Sequence, residues 1–348
     1  MKTPRAIAGL LALAGLATGC ATSYAERAPL SFQDYDYSSP EGRPWPLKRL
    51  ALEETAAAHG MPRAPEVAYV ELNPEGGKTL VFVHGLGSYL KFWRYQLDAF
   101  AEQGYRVLAV DLPGYGKSDK PATFPYTMEA MADAVRELVH KTGAQRPILV
   151  GHSMGGQTAL SYAIRYPEEP SALVLTSPAG FEKFSRREQA WFKRVFSTTL
   201  IKSSPEYNIW GSVRQNNFAR WRPELDWLIE ERVRVAKSPE FDAYAYANVR
   251  TVEGLSRNDF VRESLNKVGV PTLIIFGEED RLIPNPFLHG GDARDIMSYG
   301  HANIRDSKLV GLERCGHTVQ MDCPEEYNQQ VLGFLKGLEA PAEGGESK

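Results

Sequence analysis

Apolar and polar positions along the chain fall into short blocks of changing period. "EVAYVEL" alternates with a period of two and predicts a strand. "KTLVFVHG" is a continuous apolar run closed by glycine, the form of a strand buried on both faces. From there helical and strand patterns take turns. "WRYQLDAFAEQG" predicts a helix ended by Gly104, "RVLAVD" a strand, and "TMEAMADAVRELVHKTG" a helix ended by Gly143. "PILVG", "QTALSYAIRYP" and "ALVLTS" follow as strand, helix and strand. After an interruption the alternation resumes with the strands "PTLIIFG" and "KLVGLE" and the helix "PEEYNQQVLGFLKGL". Strands separated by helices of about 10 to 15 residues predict crossover connections. The fold class is therefore α/β, a mostly parallel, doubly wound sheet flanked by helices.

The same reading divides the chain. "PLKRLALEETAAAHG" predicts a short helix that starts after Pro46 and stops at Gly60. Residues 21–46 are polar, without periodic apolar positions, and read as a tether. Residues 47–180 and 268–337 form the core, and residues 338–348 a small, polar, disordered tail. The interruption at 181–267 holds four of the six tryptophans and more basic than acidic residues. Phe218, Trp221, Leu225 and Leu228 recur there at helical spacing, with Pro223 near the helix start. This segment reads as an inserted helical cap. Most of its aromatic residues would pack the cap itself, and some would line a pocket.

Composition adds limits. The formal net charge is −3 and no long block of like charge occurs, which argues against a nucleic-acid partner. The N-terminus differs from the rest. Lys2 and Arg5 precede an apolar run from Ala6 to Ala17, too short for a bilayer that needs about 20 residues. That is the form of a secretory signal over residues 1–20. Its end, Thr18-Gly19-Cys20-Ala21, resembles a bacterial lipobox, with Ala17 where leucine is usual. The resemblance implies a lipidated Cys20 and a protein anchored in the bacterial envelope. Ala21 would favour the outer membrane in a Gram-negative organism. A plain signal peptide cut near Ala21, or a short buried helix, is the alternative.

One stretch concentrates chemistry. Strand "PILV" runs into Gly151-His152-Ser153-Met154-Gly155-Gly156 and then into a helix. A G-x-S-x-G motif between strand and helix exposes its serine on a tight turn. A serine hydroxyl needs a base to take its proton. His317, in the loop between the last strand and last helix, would stand at the same sheet edge. His152 reads as a packing residue, His84 as structural, and His59, His140, His289 and His301 as solvated. The imidazole in turn needs a carboxylate. Asp280 is the third residue after Gly277 and is followed by Leu282-Ile283-Pro284; Glu278 and Glu279 are the alternatives. The backbone N–H groups of Leu86, in "FVHGLGSY", and of Met154 are the candidate donors to an oxyanion.

"HGLGS", "DLPGYGKSDKP", "GHSMGG", "GEEDRLIP" and "CGHTVQMDCPEEYNQQVLGFL" match, in order and spacing, the pattern of the α/β-hydrolase superfamily. The chain resembles its capped serine hydrolases over residues 78–337, apart from the cap. The resemblance implies a catalytic triad of Ser153, Asp280 and His317, with Leu86 and Met154 as the oxyanion donors. It implies no cofactor and no metal. Dehalogenases and epoxide hydrolases of the same superfamily use an aspartate nucleophile, and Ser153 argues against both. The reading favoured here is an esterase or lipase acting on small-molecule esters through an acyl-enzyme. The aromatic cap favours an apolar acyl or alcohol group. A C–C or amide bond hydrolase with the same triad is one alternative, and a non-catalytic ligand-binding protein of the envelope another. Cys315 and Cys323 flank His317 and depart from the family pattern. An exported protein permits a disulfide between them, and two unpaired small hydrophobic residues are the other possibility.

Overall fold

The computed structural model describes residues 23–338. The leader with Cys20 and nearly all of the C-terminal tail lie outside the described residues. Eight strands form one sheet: β1 (Leu47–Ala51), β2 (Glu66–Leu72), β3 (Thr79–Val83), β4 (Arg106–Val110), β5 (Ile148–His152), β6 (Ala172–Thr176), β7 (Thr272–Gly277) and β8 (Ser307–Leu312). Their order is β1-β2-β4-β3-β5-β6-β7-β8. Strand β2 runs antiparallel to both neighbours, and every other pair is parallel. The central strands β3, β5, β6 and β7 are buried at every position. Their continuous apolar runs suit a sheet covered on both faces, where no position can be polar without a partner. In register, Val83 stands opposite Gly151, and His152 opposite Thr176. The turns that leave β3, β5 and β6 therefore start at one level.

The sheet is flanked by α1 (Glu53–Ala58), α2 (Leu97–Glu102), α3 (Met128–Lys141) and α4 (Met154–Arg165). Between β6 and β7 the chain leaves it for a cap of six helices: α5 (Arg186–Val195), α6 (Thr198–Lys202), α7 (Glu206–Asn217), α8 (Asp226–Val235), α9 (Phe241–Ser256) and α10 (Asp259–Glu263). Helices α11 (Ala293–Asn303), α12 (Val319–Asp322) and α13 (Pro324–Gly337) complete the core. Among the described residues, no helix is long and apolar enough to cross a membrane.

Three expectations change. The segment after Pro46 opens as strand β1, not as a helix, and only Glu53–Ala58 is helical. Its polar residues tolerate either state, and an open edge on β2, paired from Leu47↔Val70 to Ala51↔Glu66, decides. The apolar spacing from Phe218 to Leu228 does not mark one helix. Phe218 ends α7, Pro223–Leu225 is a single tight turn, and α8 begins at Asp226. Proline has no N–H to continue a helix from before it. Phe218, Leu225 and Leu228 still share one small core with Met321.

Residues 23–46 are not a loose tether. They form a strap bound along the cap. Tyr24 is buried and stacks on Trp210 with ring centres 6.1 Å apart. The Glu206 carboxylate accepts from the backbone N–H groups of Tyr24 and Ala25 at 3.0 and 2.9 Å. Arg27 pairs with Glu230 at 2.7 Å, and Arg234 donates to the Ala28 carbonyl at 3.0 Å. Further on, Phe32, Tyr35 and Tyr37 join the main core, and the Tyr37 hydroxyl donates to buried Asp111. Burial pushes the Asp111 carboxyl up to about 6, against the hydrogen bonds it accepts. Period counting cannot find such a strap, because its few aromatic anchors are spaced by reach across a surface rather than by helix or strand geometry.

Tyr24→Ala removes the stacked ring and leaves a void between strap and cap. We expect a loss of about 2 kcal/mol in urea unfolding, in the range for large-to-small changes at a buried site. A surface control, Tyr207→Ala at an exposed tyrosine, should change stability little.

Candidate active site

Ser153 lies between the end of β5 and the start of α4. Its backbone is left-handed, with φ 52° and ψ −115°, a conformation that non-glycine residues hold only when their surroundings enforce it. The surroundings are three glycines with no room for a side chain. A Cβ on Gly151 would stand 2.2 Å from the Gly155 carbonyl oxygen, and one on Gly155 2.2 Å from that of Val83. A Cβ on Gly156 would stand 2.6 Å from Pro178. The serine is thus lifted out at the first turn of α4. Met154 is the first helical residue, so its N–H has no partner within the helix.

The turn after β3 packs against the serine. A Cβ on Gly85 would be 3.2 Å from that of Ser153 and 2.8 Å from Nδ1 of His152. Leu86 follows in this turn, on the wall of the cavity that Ser153 also lines. His84 is structural. It is buried, its Nδ1 lies 2.8 Å from the Gly85 carbonyl, and its Nε2 accepts from the Leu112 N–H at 3.0 Å. Burial pulls its pKa down to about 4, which keeps it neutral. His152 is also buried and neutral, its pKa depressed by burial and by nearby His317, with Nε2 3.1 Å from the His317 carbonyl.

Asp280 and His317 meet. The His317 Nδ1 lies 2.7 Å from Asp280 Oδ2. The other Asp280 oxygen accepts from the N–H groups of Leu282 and Ile283 at 2.8 and 3.1 Å. With both oxygens held, the carboxylate orients the ring and fixes the proton on Nδ1, leaving Nε2 free as a base. The loops bearing these residues fit because Gly277 lies against the Cys315 and Gly316 carbonyls. Glu278 and Glu279 turn away to Arg294 and Arg281, and the choice among the three acids follows from that. The other histidines have partners: His59 pairs with Asp133, His140 with Glu169, His289 with Glu182 and Glu188, and His301 with Ser307. His140 and His301 are exposed to solvent as expected, whereas His59 and His289 are partly buried against carboxylates more than 70 residues away, contacts that sequence spacing does not signal.

Cys315 and Cys323 are joined in a disulfide that closes the loop holding His317. A residue the motif reading passed over works beside it. Buried Asp322 accepts from the N–H groups of Gly316 and Ala219, each at 2.7 Å. It ties the histidine loop to the cap. Its sign in sequence was faint, one acid among three in "MDCPEE".

The cavity over Ser153 and His317 measures about 230 Å³. Phe184, Phe192 and Phe196 from the cap, with Val252, Leu255 and Ile283, give it apolar walls. Glu182 also lines it, and accepts from the Asn285 N–H at 2.7 Å. Burial raises the Glu182 carboxyl above its usual range, against its bond to His289. No histidine, cysteine and carboxylate cluster among the described residues offers a metal site other than one that includes the two disulfide sulfurs. A serine lifted on a tight turn, a held imidazole and a helix N-terminus under an apolar vault can perform nucleophilic acyl transfer.

The chain belongs to the alpha/beta hydrolase fold family, whose model matches residues 78–324. A 2-hydroxy-6-oxononadienedioate/2-hydroxy-6-oxononatrienedioate hydrolase of Paraburkholderia phymatum is 28% identical over 75% of this chain and 88% of its own length. Among solved structures, a probable hydrolytic enzyme from Pseudomonas aeruginosa has a TM-score of 0.76 at 25% identity, covering 90% of this chain and 99% of that one. An esterase from Exiguobacterium antarcticum has a TM-score of 0.65 at 26% identity, covering 78% and 96%.

Two outcomes follow from the loops. Replacing Cys315 and Cys323 by serine should cost about 2–3 kcal/mol of stability, as expected for a loop this short, and slow turnover by loosening His317. Denaturant unfolding and steady-state rates on the oxidised and serine forms check both. His289 gives a pH effect. Burial draws its pKa down, but the hydrogen bond and charge of Glu182, then those of Glu188, outweigh burial and raise it. A raised folded pKa stabilises the fold below the ordinary histidine value and loses that support as pH rises through the folded one. Melting temperature should therefore fall more from pH 6 to pH 8 in the wild type than in His289→Gln.

Proposed function

We propose that the protein is a serine hydrolase that cleaves carboxylic esters through an acyl-enzyme. The observation that carries this reading is the convergence of three loops at one apolar cavity: the left-handed Ser153, the Asp280-held His317, and the glycine turn bearing Leu86. In this reading Ser153 Oγ attacks the ester carbonyl carbon and gives its proton to His317 Nε2. The Leu86 and Met154 N–H groups hold the resulting oxyanion. The tetrahedral species collapses, the alkoxide leaves with the proton from His317, and Asp280 stabilises the transient imidazolium. Water, deprotonated by His317, then releases the acid. No cofactor enters any step.

The apolar vault supports an acyl or alcohol group rich in carbon. A C–C bond hydrolase with the same residues is the second reading, favoured by the kinship to the Paraburkholderia hydrolase over most of both chains. We further propose that Cys20 carries a lipid anchor in a bacterial envelope. The apolar leader supports this, as does the Cys315–Cys323 disulfide, which suits an oxidising compartment.

A fluorophosphonate probe followed by mass spectrometry should give one adduct, on Ser153, absent in Ser153→Ala. p-Nitrophenyl esters of increasing chain length should be hydrolysed, with kcat/KM falling at least 10⁴-fold in Ser153→Ala, the scale of loss for triad members. Turnover of a vinylogous 1,5-diketone with all esters inert would give the second reading the place of the first.

A further inference from the structure

We infer that a second chamber beside the catalytic cavity holds an anionic arm of the substrate, a carboxylate or a phosphate, through Arg232. The inference rests on the ester-hydrolase reading above. The chamber measures about 270 Å³ and shares Leu86, Ser88 and Phe92 with the catalytic cavity. A carbonyl held at the Leu86 N–H would thus lie where the two spaces adjoin. Their linings differ. Ser204, Asn208 and Ser212 of the cap edge the second chamber, and Phe32 and Tyr35 of the N-terminal strap form part of its wall.

Charge decides the class of ligand. Glu231 lines the chamber, but both its oxygens are taken. Lys91 Nζ donates to one at 2.8 Å and the Tyr89 hydroxyl to the other. Lys91 and Glu231 therefore cancel. Arg232 has no such match. Its Nη2 donates to the Ile201 carbonyl at 3.2 Å, and its guanidinium lies 4.7 Å from the centre of the Phe241 ring. Its Nη1 is buried with no hydrogen-bond partner. A buried donor left unpaired is costly, and here it belongs to a cation that no carboxylate pairs with among the described residues. Arg232 lines the chamber, so an anionic group there would answer its unpaired charge, and the planar guanidinium suits a carboxylate or phosphate. A cationic arm would meet Arg232 unopposed.

Two ester pairs test this and separate the sources of the charge. Monoethyl suberate against ethyl octanoate puts it on the acyl side. 1-Octanoylglycerol 3-phosphate against 1-octanoylglycerol puts it on the alcohol side. We expect at least a tenfold preference in kcat/KM for the charged member of one pair. Arg232→Gln should reduce that preference at least tenfold, and Arg232→Lys should retain part of it. Arg234→Gln, on the same helix but facing the strap, should leave it in place. Equal rates within both pairs, or a preference that survives in Arg232→Gln, would overturn the inference. Calorimetry with Ser153→Ala and the two charged compounds reads the chamber without turnover, and binding should be lost when Arg232→Gln is added. If no ester is cleaved but binding depends on Arg232, the ester reading fails and the chamber stands. If esters are cleaved with no dependence on Arg232 in rate or binding, the chamber fails alone.

Discussion

Gly155, in the first turn of α4, packs against β3 so closely that a Cβ would stand 2.2 Å from the Val83 carbonyl oxygen and 2.7 Å from that of His84. Much of the site depends on that approach. It seats the helix N-terminus beside the turn that carries Leu86, so two N–H groups from distant parts of the chain can face one atom. It also forces the strand-to-helix turn into its left-handed form at Ser153. A parallel sheet supplies the frame, because its strands end side by side at one edge. Gly277 repeats the device at the other side of the site, letting the loop after β8 lie on the loop after β7. Contact without side chains is what turns an ordinary sheet edge into a place where three loops converge.

The core and the loops that gather Ser153, Asp280 and His317 were legible because their signals are local. Buried parallel strands leave continuous apolar runs, and a tight turn leaves glycines at fixed offsets. The distance to a strand end narrowed the acid to Glu278, Glu279 and Asp280 and pointed to the loop of His317, and the structure chose among the acids. What resisted reading acts over long separations. Glu206 and Tyr24, or Asp322 and Ala219, are joined across large stretches of chain, and nothing near either partner records the other. The strand at Leu47–Ala51 illustrates the same limit, since its state is set by the open edge of β2. The cap reads as apolar and helical, but its breaks, as at Pro223, follow how it must fold over the core.

Cap and core are sewn together from several directions. Glu231 of α8 meets Lys91 and Tyr89 of the core, Asp322 holds the chain at Ala219, and Glu182 at the start of the cap accepts from the Asn285 N–H at 2.7 Å. The disulfide closes the loop that bears His317 within this network. A swing of the entire cap would have to break all of these ties together, whereas a limited motion of single cap helices leaves most of them in place.

The strap sets how far the catalytic unit stands from whatever holds its N-terminus. Ser23 is fastened to Glu206 of the cap at 3.1 Å. Only two residues, Ala21 and Thr22, separate it from Cys20, three steps that reach about 10 Å at full extension. On the proposed anchoring at Cys20, the cap is therefore held against the lipid surface, and the enzyme is leashed rather than merely retained. Such a protein samples a plane instead of a volume. It meets amphiphiles that reside in or leave that plane far more often than solutes passing through the compartment, so its position would select substrates before its pocket does.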